Sequence, residues 1–233
     1  MATSLPTAAA VRSVVCDLGD AMPEGALVIE TSTSGPTFAN AASARLARRG
    51  VRFVDCPVSG KAPELPILVG GTPGVPGEAE AVLEHAAASI VRLGVLGAGN
   101  SVKLLQQYVK YARFLVAAEA LTFAAHEGLD IEATVEVLSA GTGAQPGLAS
   151  AEEYFLQDAA ALLRRAPVST ISKDVELARA MFSDAGFHSQ SFDSLAEFFL
   201  AADSDDMHDR PYPEVIDLLP HFRFAQESRH DHR

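Results

Sequence analysis

The sequence is poor in cysteine and contains no long apolar run. Its two cysteines, Cys16 and Cys56, lie far apart and form no Cys-X-X-Cys motif, so we interpret both as buried thiols in a reducing compartment. No apolar stretch approaches the roughly 20 residues that a membrane-spanning helix needs. The N-terminus lacks the charged segment and continuous apolar core of a signal peptide. We therefore expect a cytoplasmic protein that does not enter a membrane.

Basic residues are scarce as well. The chain has 18 Lys and Arg against 30 Asp and Glu, a formal net charge of −12, which argues against nucleic acid or an anionic membrane surface as partner. The histidines form neither a His-X-X-X-His nor a His-Glu-X-X-His pair, so no metal site is expected. A Gly-X-Ser-X-Gly motif is also absent, which excludes the nucleophile elbow of serine hydrolases.

Glycine is present in the stretch GVLGAGNSVKLLQQYVK (94–110), but its spacing fits neither common phosphate-binding loop. A dinucleotide fingerprint needs a third glycine where Val102 stands, and a Walker-type loop needs Ser or Thr directly after Lys103. No Gly-X-Gly-X-X-Gly occurs elsewhere in the sequence. We predict instead a helix with Asn100 or Ser101 as N-cap and Lys103 in its first turn.

The first 98 residues alternate short β-type runs with helical stretches, which indicates a parallel sheet with crossover helices. The expected strands are the end of one at 2–7, then 25–31, 51–58, 65–71 and 89–94, and the expected helices are 8–22, 36–50 and 76–88.

After Gly99 the β-type runs end and helical periodicity continues. We predict a helical region over 99–222, followed by a tail at 223–233. Its helices are expected at 100–127, 130–140, 152–163, 173–185, 192–202 and 212–219, with Asp130, Ser172 and Ser191 as caps. The length and apolar character of the first helix predict a homodimer through the helical region, because a second chain would bury its exposed side.

Four stretches occur in an order and spacing that resemble the β-hydroxyacid dehydrogenases: VIETSTSGPT (28–37), FVDCPVSGK (53–61), GAGNSVKLL (97–105) and ISKDVELA (171–178). This family includes 3-hydroxyisobutyrate dehydrogenase and is related to imine reductases and 6-phosphogluconate dehydrogenase. The resemblance covers about residues 4–219. It implies the C-terminal part of a Rossmann-like parallel sheet (1–98), joined by a long helix to an all-helical substrate and dimerisation domain (99–222).

The resemblance also implies an NAD- or NADP-dependent oxidoreductase that acts on a small carboxylate-bearing substrate. Members of the family open with a Gly-X-Gly-X-X-Gly loop, which these 233 residues lack. We therefore expect an N-terminally truncated member without the segment that holds the pyrophosphate. The residue that selects NAD or NADP would be missing with it.

Lys103 matches the family lysine that handles the proton of the substrate hydroxyl. An ammonium group in the first turn of a helix feels the positive end of the helix dipole, and partial burial removes solvation. Both effects favour loss of its proton, as a general acid/base requires. Judged without the motif, Lys103 would be a surface lysine at a helix end.

The other implied contacts lie in the same motifs. Gln107 stands where the family has asparagine, four residues after the lysine, and would hold a substrate oxygen. The cofactor would meet Leu5, Pro6, Thr33 and Lys173, although Lys173 could equally pair with Asp174. The substrate carboxylate would meet Ser59 and Gly60, with an added charge from Lys61.

Three functional hypotheses follow from these residues. The first is a working dehydrogenase with Lys103 as general acid/base. The second is a redox-inactive homologue that serves as a small-acid-binding or dimerising module. The third retains Lys103 for acid/base chemistry without a cofactor, such as isomerisation.

Overall fold

The structure is a computed structural model that describes residues 1–60, 65–71, 76–85, 87–141, 146–204 and 206–221. It divides into two compact units. Unit 1 comprises Met1–Gln107 and Glu176–Phe187, and unit 2 comprises Tyr108–Val175 and the chain from His188 onward. The expected combination of a parallel-sheet part and a helical part is confirmed.

In the described residues of unit 1, the strands form two small sheets and all pair in parallel. In the larger sheet Val28 lies opposite Phe53, and in the smaller one Ile67 lies opposite Ile90. The larger sheet has the order β1 (Ala2–Thr3), β2 (Leu27–Glu30), β3 (Arg52–Asp55), and the smaller one pairs β4 (Pro66–Val69) with β5 (Ser89–Arg92).

The connection from β3 to β4 departs from the parallel pattern. Isolated antiparallel bridges join Asp55 to Gly70 and Val58 to Ile67. The connection is too short for the crossover that parallel pairing requires, so the chain returns on itself instead. This return brings Gly70 against the Asp55 side chain, which is important for the candidate site.

Three helices complete the α/β part of unit 1: α1 (Ala8–Ala21), α2 (Pro36–Ala47) and α3 (Pro76–Leu83). Thr7 caps α1 because its side chain accepts the Ala10 N–H. Pro36 begins α2, where its fixed φ and missing N–H suit the first turn. The buried faces of α1 and α2 pack on the larger sheet; the cluster comprises Val11, Val15, Val28, Ala39, Ala42, Leu46, Val51 and Phe53.

The long helix α4 (Ala98–His126) begins earlier than the sequence predicts. Asn100 and Ser101, the predicted N-caps, both lie inside its first turn. The predicted caps are wrong because another segment of the chain supplies the capping group, as described below. The two units divide inside α4, after Gln107. The sequence instead predicted a division after residue 98, which is where α4 begins.

Unit 2 is helical, and several of its predicted helix boundaries need correction. The expected helix at 152–163 is two helices, because Gln157 adopts a positive φ of 54° and Asp158 caps a new short helix. Asp130 caps its helix as predicted. The helices after α4 are α5 (Ile131–Ala140), α6 (Pro146–Phe155), α7 (Ala159–Leu162), α8 (Val168–Asp184), which passes into unit 1 after Val175, α9 (Gln190–Ala202) and a 3-10 helix (Tyr212–His221).

Two predicted serine caps are also wrong. Ser172 lies in the interior of α8, where its hydroxyl donates to the carbonyl oxygen of Phe199 at 3.2 Å. The α9 cap is Ser189 rather than Ser191, since the Ser189 side chain accepts the Phe192 N–H. In each case a serine close to the helix start in sequence does not have the backbone geometry of a cap.

Buried aromatic rings form the core of unit 2. Phe114 and Tyr212 meet edge to face with centroids 4.8 Å apart, and Phe199 lies 5.8 Å from Tyr111. All four side chains are at most 2% exposed. Among the described residues, no helix combines the length and apolarity that crossing a membrane requires.

Candidate active site

A hydrogen bond joins the loop after β1 to the loop after β2, both of which are predicted to contact the cofactor. Leu5 and Pro6 follow β1, and Thr33 follows β2; the carboxyl ends of adjacent parallel strands meet at one edge of a sheet, where ligands bind in open α/β folds. The Leu5 N–H donates to Ser32 Oγ at 2.8 Å. Leu5 is therefore held beside the residue that precedes Thr33. Thr33 is half-buried and Pro6 is exposed.

The start of α4 is anchored by the carboxylate of Asp55, which is fully buried at the end of β3. Asp55 Oδ1 accepts the Gly97 N–H at 2.7 Å, and Oδ2 accepts the Asn100 N–H at 2.8 Å. A protein carboxylate thus already accepts two of the N–H groups at the start of α4 that a phosphate would need. This geometry supports the prediction that the Gly94–Lys110 stretch is not a phosphate loop.

The glycines of this region serve close packing around Asp55. A Cβ on Gly99 would lie 2.4 Å from the carbonyl oxygen of Leu68, and a Cβ on Gly70 would lie 2.5 Å from Asp55 Oδ1. Gly97 has a φ of +85°, which side chains rarely adopt. The Gly-Ala-Gly sequence therefore lets the helix start approach β4 and the Asp55 carboxylate.

A second buried carboxylate organises the loop after β2. Glu30 accepts the Ser32 N–H at 2.7 Å and the Ser34 hydroxyl at 2.8 Å. Desolvation by burial raises the pKa of Glu30, against the lowering effect of its bonds to Ser32 and Ser34. Desolvation likewise raises the pKa of Asp55, against its hydrogen bonds from Asn100 and Gly97. Burial is the larger effect at both carboxyls.

Unit 1 contains the residues predicted for proton transfer and substrate binding, Lys103 and Ser59, and a third residue bonded to Ser59, Gln106. Lys103 is half-buried on α4, and Ser59 is 6% exposed in the turn after β3. The Ser59 hydroxyl donates to Gln106 Oε1 at 2.8 Å. Gln106 follows Lys103 by three residues, so both side chains point from neighbouring positions on one helical face.

Gln106 is one of the residues that the sequence analysis did not assign to the site. The resemblance directed attention to Gln107, which is half-buried and follows Lys103 by four residues. The sequence did contain a signal for Gln106, because it follows Lys103 by three residues and therefore lies on the same face of the helix. Gln107 stays a predicted substrate contact.

Three predicted contact residues remain: Gly60, Lys61 and Lys173. Gly60 adopts a φ of +78° directly after Ser59, so it forms the turn that presents the serine hydroxyl. Lys61 lies outside the described residues. In unit 2, the Lys173 Nζ lies 3.2 Å from Asp174 Oδ1, which realises the ion pair considered for it. Within the described part of the chain, no group of three or more His, Cys, Asp or Glu could hold a metal ion.

Two family models match consecutive parts of the chain. Residues 1–97 match the model described as the NAD binding domain of 6-phosphogluconate dehydrogenase. Residues 97–219 match the model described as NAD-binding of NADP-dependent 3-hydroxyisobutyrate dehydrogenase.

Two individual dehydrogenases are also similar to this chain in sequence. L-threonate dehydrogenase of Cupriavidus necator is 36% identical over 129 residues, which are 53% of this chain and 43% of that protein. The mitochondrial 3-hydroxyisobutyrate dehydrogenase of Drosophila melanogaster is 30% identical over 147 residues, 60% of this chain and 45% of that protein. The chain thus spans about half the length of these curated relatives.

A solved structure extends the likeness to nearly the whole chain. The 3-hydroxyisobutyrate dehydrogenase of Mycobacterium tuberculosis, determined with L-serine, has a TM-score of 0.82 and 25% identity. The match covers 94% of this chain and 78% of that one.

Proposed function

The chain belongs to the β-hydroxyacid dehydrogenase family, and from that premise we propose that it carries the proton-transfer and substrate-binding part of an NAD- or NADP-dependent hydroxyacid dehydrogenase. The observation that carries this proposal is the Ser59–Gln106 hydrogen bond on the helix that bears Lys103. It supports the proposal because Gln106, which accepts the Ser59 hydroxyl, follows Lys103 by three residues on α4. The substrate is a small hydroxy acid.

In the proposed mechanism Lys103 exchanges a proton with the substrate hydroxyl. Its neutral amine takes the proton as the alcohol is oxidised, and its ammonium returns a proton to the carbonyl oxygen in the reverse direction. The backbone N–H of Gly60 binds the substrate carboxylate, and the Ser59 hydroxyl turns from Gln106 Oε1 to donate to the same carboxylate. Gln106 thus holds that hydroxyl when no substrate is bound, and Gln107 contacts a second substrate oxygen.

The fit of these residues to the cofactor is partial. Leu5, Pro6 and Thr33 lie in loops at the carboxyl ends of β1 and β2, where the nicotinamide half would be held. Asp55 already accepts the N–H groups of Gly97 and Asn100 at the start of α4, so these two amides are not open to the pyrophosphate. When bound, the nicotinamide supplies hydride transfer; Lys173 in unit 2 is a further proposed contact.

Binding of the cofactor and the role of Lys103 are tested separately. Fluorescence titration with NADH and NADPH should give saturable binding, followed by turnover of small hydroxy acids such as L-serine or 3-hydroxyisobutyrate. Lys103→Ala and Lys103→Arg should each lower kcat by about 10²–10⁴-fold, because arginine keeps the charge but does not release a proton. Lys110→Ala on the same helix is the control. Full activity of Lys103→Arg would remove Lys103 from the proton transfer.

A second candidate function is binding of a small acid without redox chemistry, and the Ser59–Gly60 turn favours it because its hydroxyl and backbone N–H could bind a carboxylate without a cofactor. Isothermal titration with the same hydroxy acids decides between the two. Saturable acid binding together with no NADH or NADPH binding at millimolar concentration would support this second function and contradict the first.

We also propose that the chain forms a homodimer through α4. Within unit 2, Val109, Val116 and Phe123 are 46%, 67% and 65% exposed and lie seven residues apart, the spacing of a coiled-coil seam. Light scattering after size exclusion should give twice the chain mass. Val116→Glu should give a monomer, whereas Leu163→Glu, at an apolar position outside α4 that is 80% exposed, should not; a native monomer would contradict the proposal.

A further inference from the structure

Asn100 joins two segments that are distant in sequence. Its side chain is fully buried. Its Oδ1 accepts the N–H groups of Ser34 and Gly35, each at 2.9 Å. These two amides belong to the loop between β2 and α2, directly after Thr33. One carboxamide oxygen therefore holds the Thr33 loop to the first turn of α4.

The other side of Asn100 is fixed as well. Its backbone N–H and its Nδ2 donate to Asp55 Oδ2 at 2.8 and 3.3 Å, and Asp55 also accepts the Gly97 N–H. Every one of these groups is buried, so water cannot replace a bond that is lost. Both the oxygen and the nitrogen of the Asn100 carboxamide are thus held by buried hydrogen bonds.

This arrangement has a direct consequence for Lys103. Residues three apart on a helix lie on the same face, so Lys103 projects one turn beyond Asn100. A rigid helix transmits the position of its first turn to the next. The contacts of Asn100 therefore set where Lys103 lies relative to the Thr33 loop, and Gly99 leaves no space for the turn to shift toward Leu68.

We propose that Asn100 is a positioning residue that registers the Lys103-bearing turn of α4 against the Thr33 loop. It acts through hydrogen bonds to Ser34, Gly35 and Asp55 rather than by touching a substrate. The functional meaning of this register rests on the proposed dehydrogenase function, in which Lys103 and Thr33 act on substrate and cofactor. The register itself is a property of unit 1 and can be measured without turnover.

Native-state hydrogen exchange tests the register without any substitution. The amides of Ser34, Gly35, Gly97 and Asn100 should open as one unit, with the same opening free energy and the same denaturant dependence. The Arg52 amide, bonded to the Ala26 carbonyl at the opposite end of the strands, is the reference. Separate opening of the Ser34–Gly35 pair and the Gly97–Asn100 pair would overturn the proposal.

A variant then tests the link to Lys103. In Asn100→Ala, exchange at Ser34 and Gly35 should accelerate by about tenfold, as expected when buried amides lose their acceptor. Acylation of Lys103 by an amine-directed reagent, read by peptide mass spectrometry, should accelerate by about threefold or more as the turn loosens. Ser101→Ala is the matched control, since its hydroxyl bonds only the Gly97 carbonyl in the same turn.

The outcomes separate this proposal from the dehydrogenase assignment. If the native protein shows no turnover, the exchange and labelling results still decide the role of Asn100. If turnover is present, kcat in Asn100→Ala should fall by about 10- to 100-fold while Ser101→Ala stays close to native. A folded Asn100→Ala with native exchange at Ser34 and Gly35, or with unchanged Lys103 labelling, would overturn the proposal. If this variant does not fold, the native-state experiment alone decides.

Discussion

The interiors of the two units are stabilised by different kinds of interaction. Unit 1 is organised around buried carboxylates and amides, with Glu30, Asp55 and Asn100 all fully buried. Unit 2 is organised around aromatic rings such as Phe114, Phe199 and Tyr212. Ring packing supplies much burial with loose directional demands. Hydrogen bonds to buried charges supply less net stability but fix positions closely, which suits the unit that carries the proposed chemistry.

The largest effect is expected in the aromatic core of unit 2. Phe199→Ala should lower the free energy of unfolding by about 3–5 kcal/mol, because it leaves a cavity beside Tyr111, Phe114 and Phe198. Leu163→Ala, at a position 80% exposed, should change it by less than about 0.5 kcal/mol. Chemical denaturation measures both. A cost below 1 kcal/mol for Phe199→Ala would mean that the rings are not the organising core.

An intermediate effect is expected where unit 1 is tightly packed around Asp55. Gly99→Ala should cost about 1–3 kcal/mol, since the new Cβ meets the Leu68 carbonyl at 2.4 Å and the Asp55 carboxylate at 2.8 Å. Gly77→Ala in α3 meets nothing within 4 Å and should instead stabilise by up to about 1 kcal/mol. Thermal unfolding of the pair gives opposite signs if the close approach is real. Equal signs would contradict the tight fit.

The smallest effect concerns the pH dependence of unit 1. Because burial raises the pKa of Glu30 in the folded state, its contribution to stability is fully present below the unfolded pKa of about 4.3. That contribution is lost as the pH rises through the raised folded value. Glu30→Gln keeps an acceptor for the Ser32 N–H and a donor for Ser34 Oγ. As the pH rises above about 4.3, the unfolding free energy of Glu30→Gln should fall less steeply than that of the native protein.

Glu78→Gln is the control for that measurement. Its hydrogen bond with Arg52 lowers the pKa of Glu78, which gives the opposite sign, and the pair is solvent-exposed. Urea titrations across the pH range should therefore show a change for Glu30→Gln that Glu78→Gln does not reproduce. Parallel curves for native protein and Glu30→Gln would show that Glu30 does not titrate differently in the folded state.

The sequence predicted those features that depend on neighbouring residues. Asp130 was recognised as a cap because its carboxylate accepts an N–H only three residues away. The positions of β2 and β3 followed from short apolar runs bounded by turn residues. Asn100 and Ser101 were mistaken for caps because the group that anchors α4 is Asp55, which precedes them by more than forty residues.

The candidate site shows the same limit. Lys103 and Ser59 could be identified from motifs, since each is recognisable in its own short stretch. The pairing of Ser59 with Gln106 instead depends on how the turn after β3 meets α4, which no local pattern specifies. The structural roles of Glu30 and Asp55 were missed for the same reason. Acidic residues at strand ends are usually exposed to solvent, whereas these two side chains are fully buried.

The enclosure of Cys56 limits the covalent chemistry open to the chain. Burial, together with the charges of Asp55, Glu30 and Glu80, raises the pKa of this thiol, so the nucleophilic thiolate is suppressed. Maleimides, iodoacetamide and peroxide should therefore modify Cys16, which is half-buried on α1, ahead of Cys56. A fluorophore or spin label can then be attached at a single position without engineering the protein.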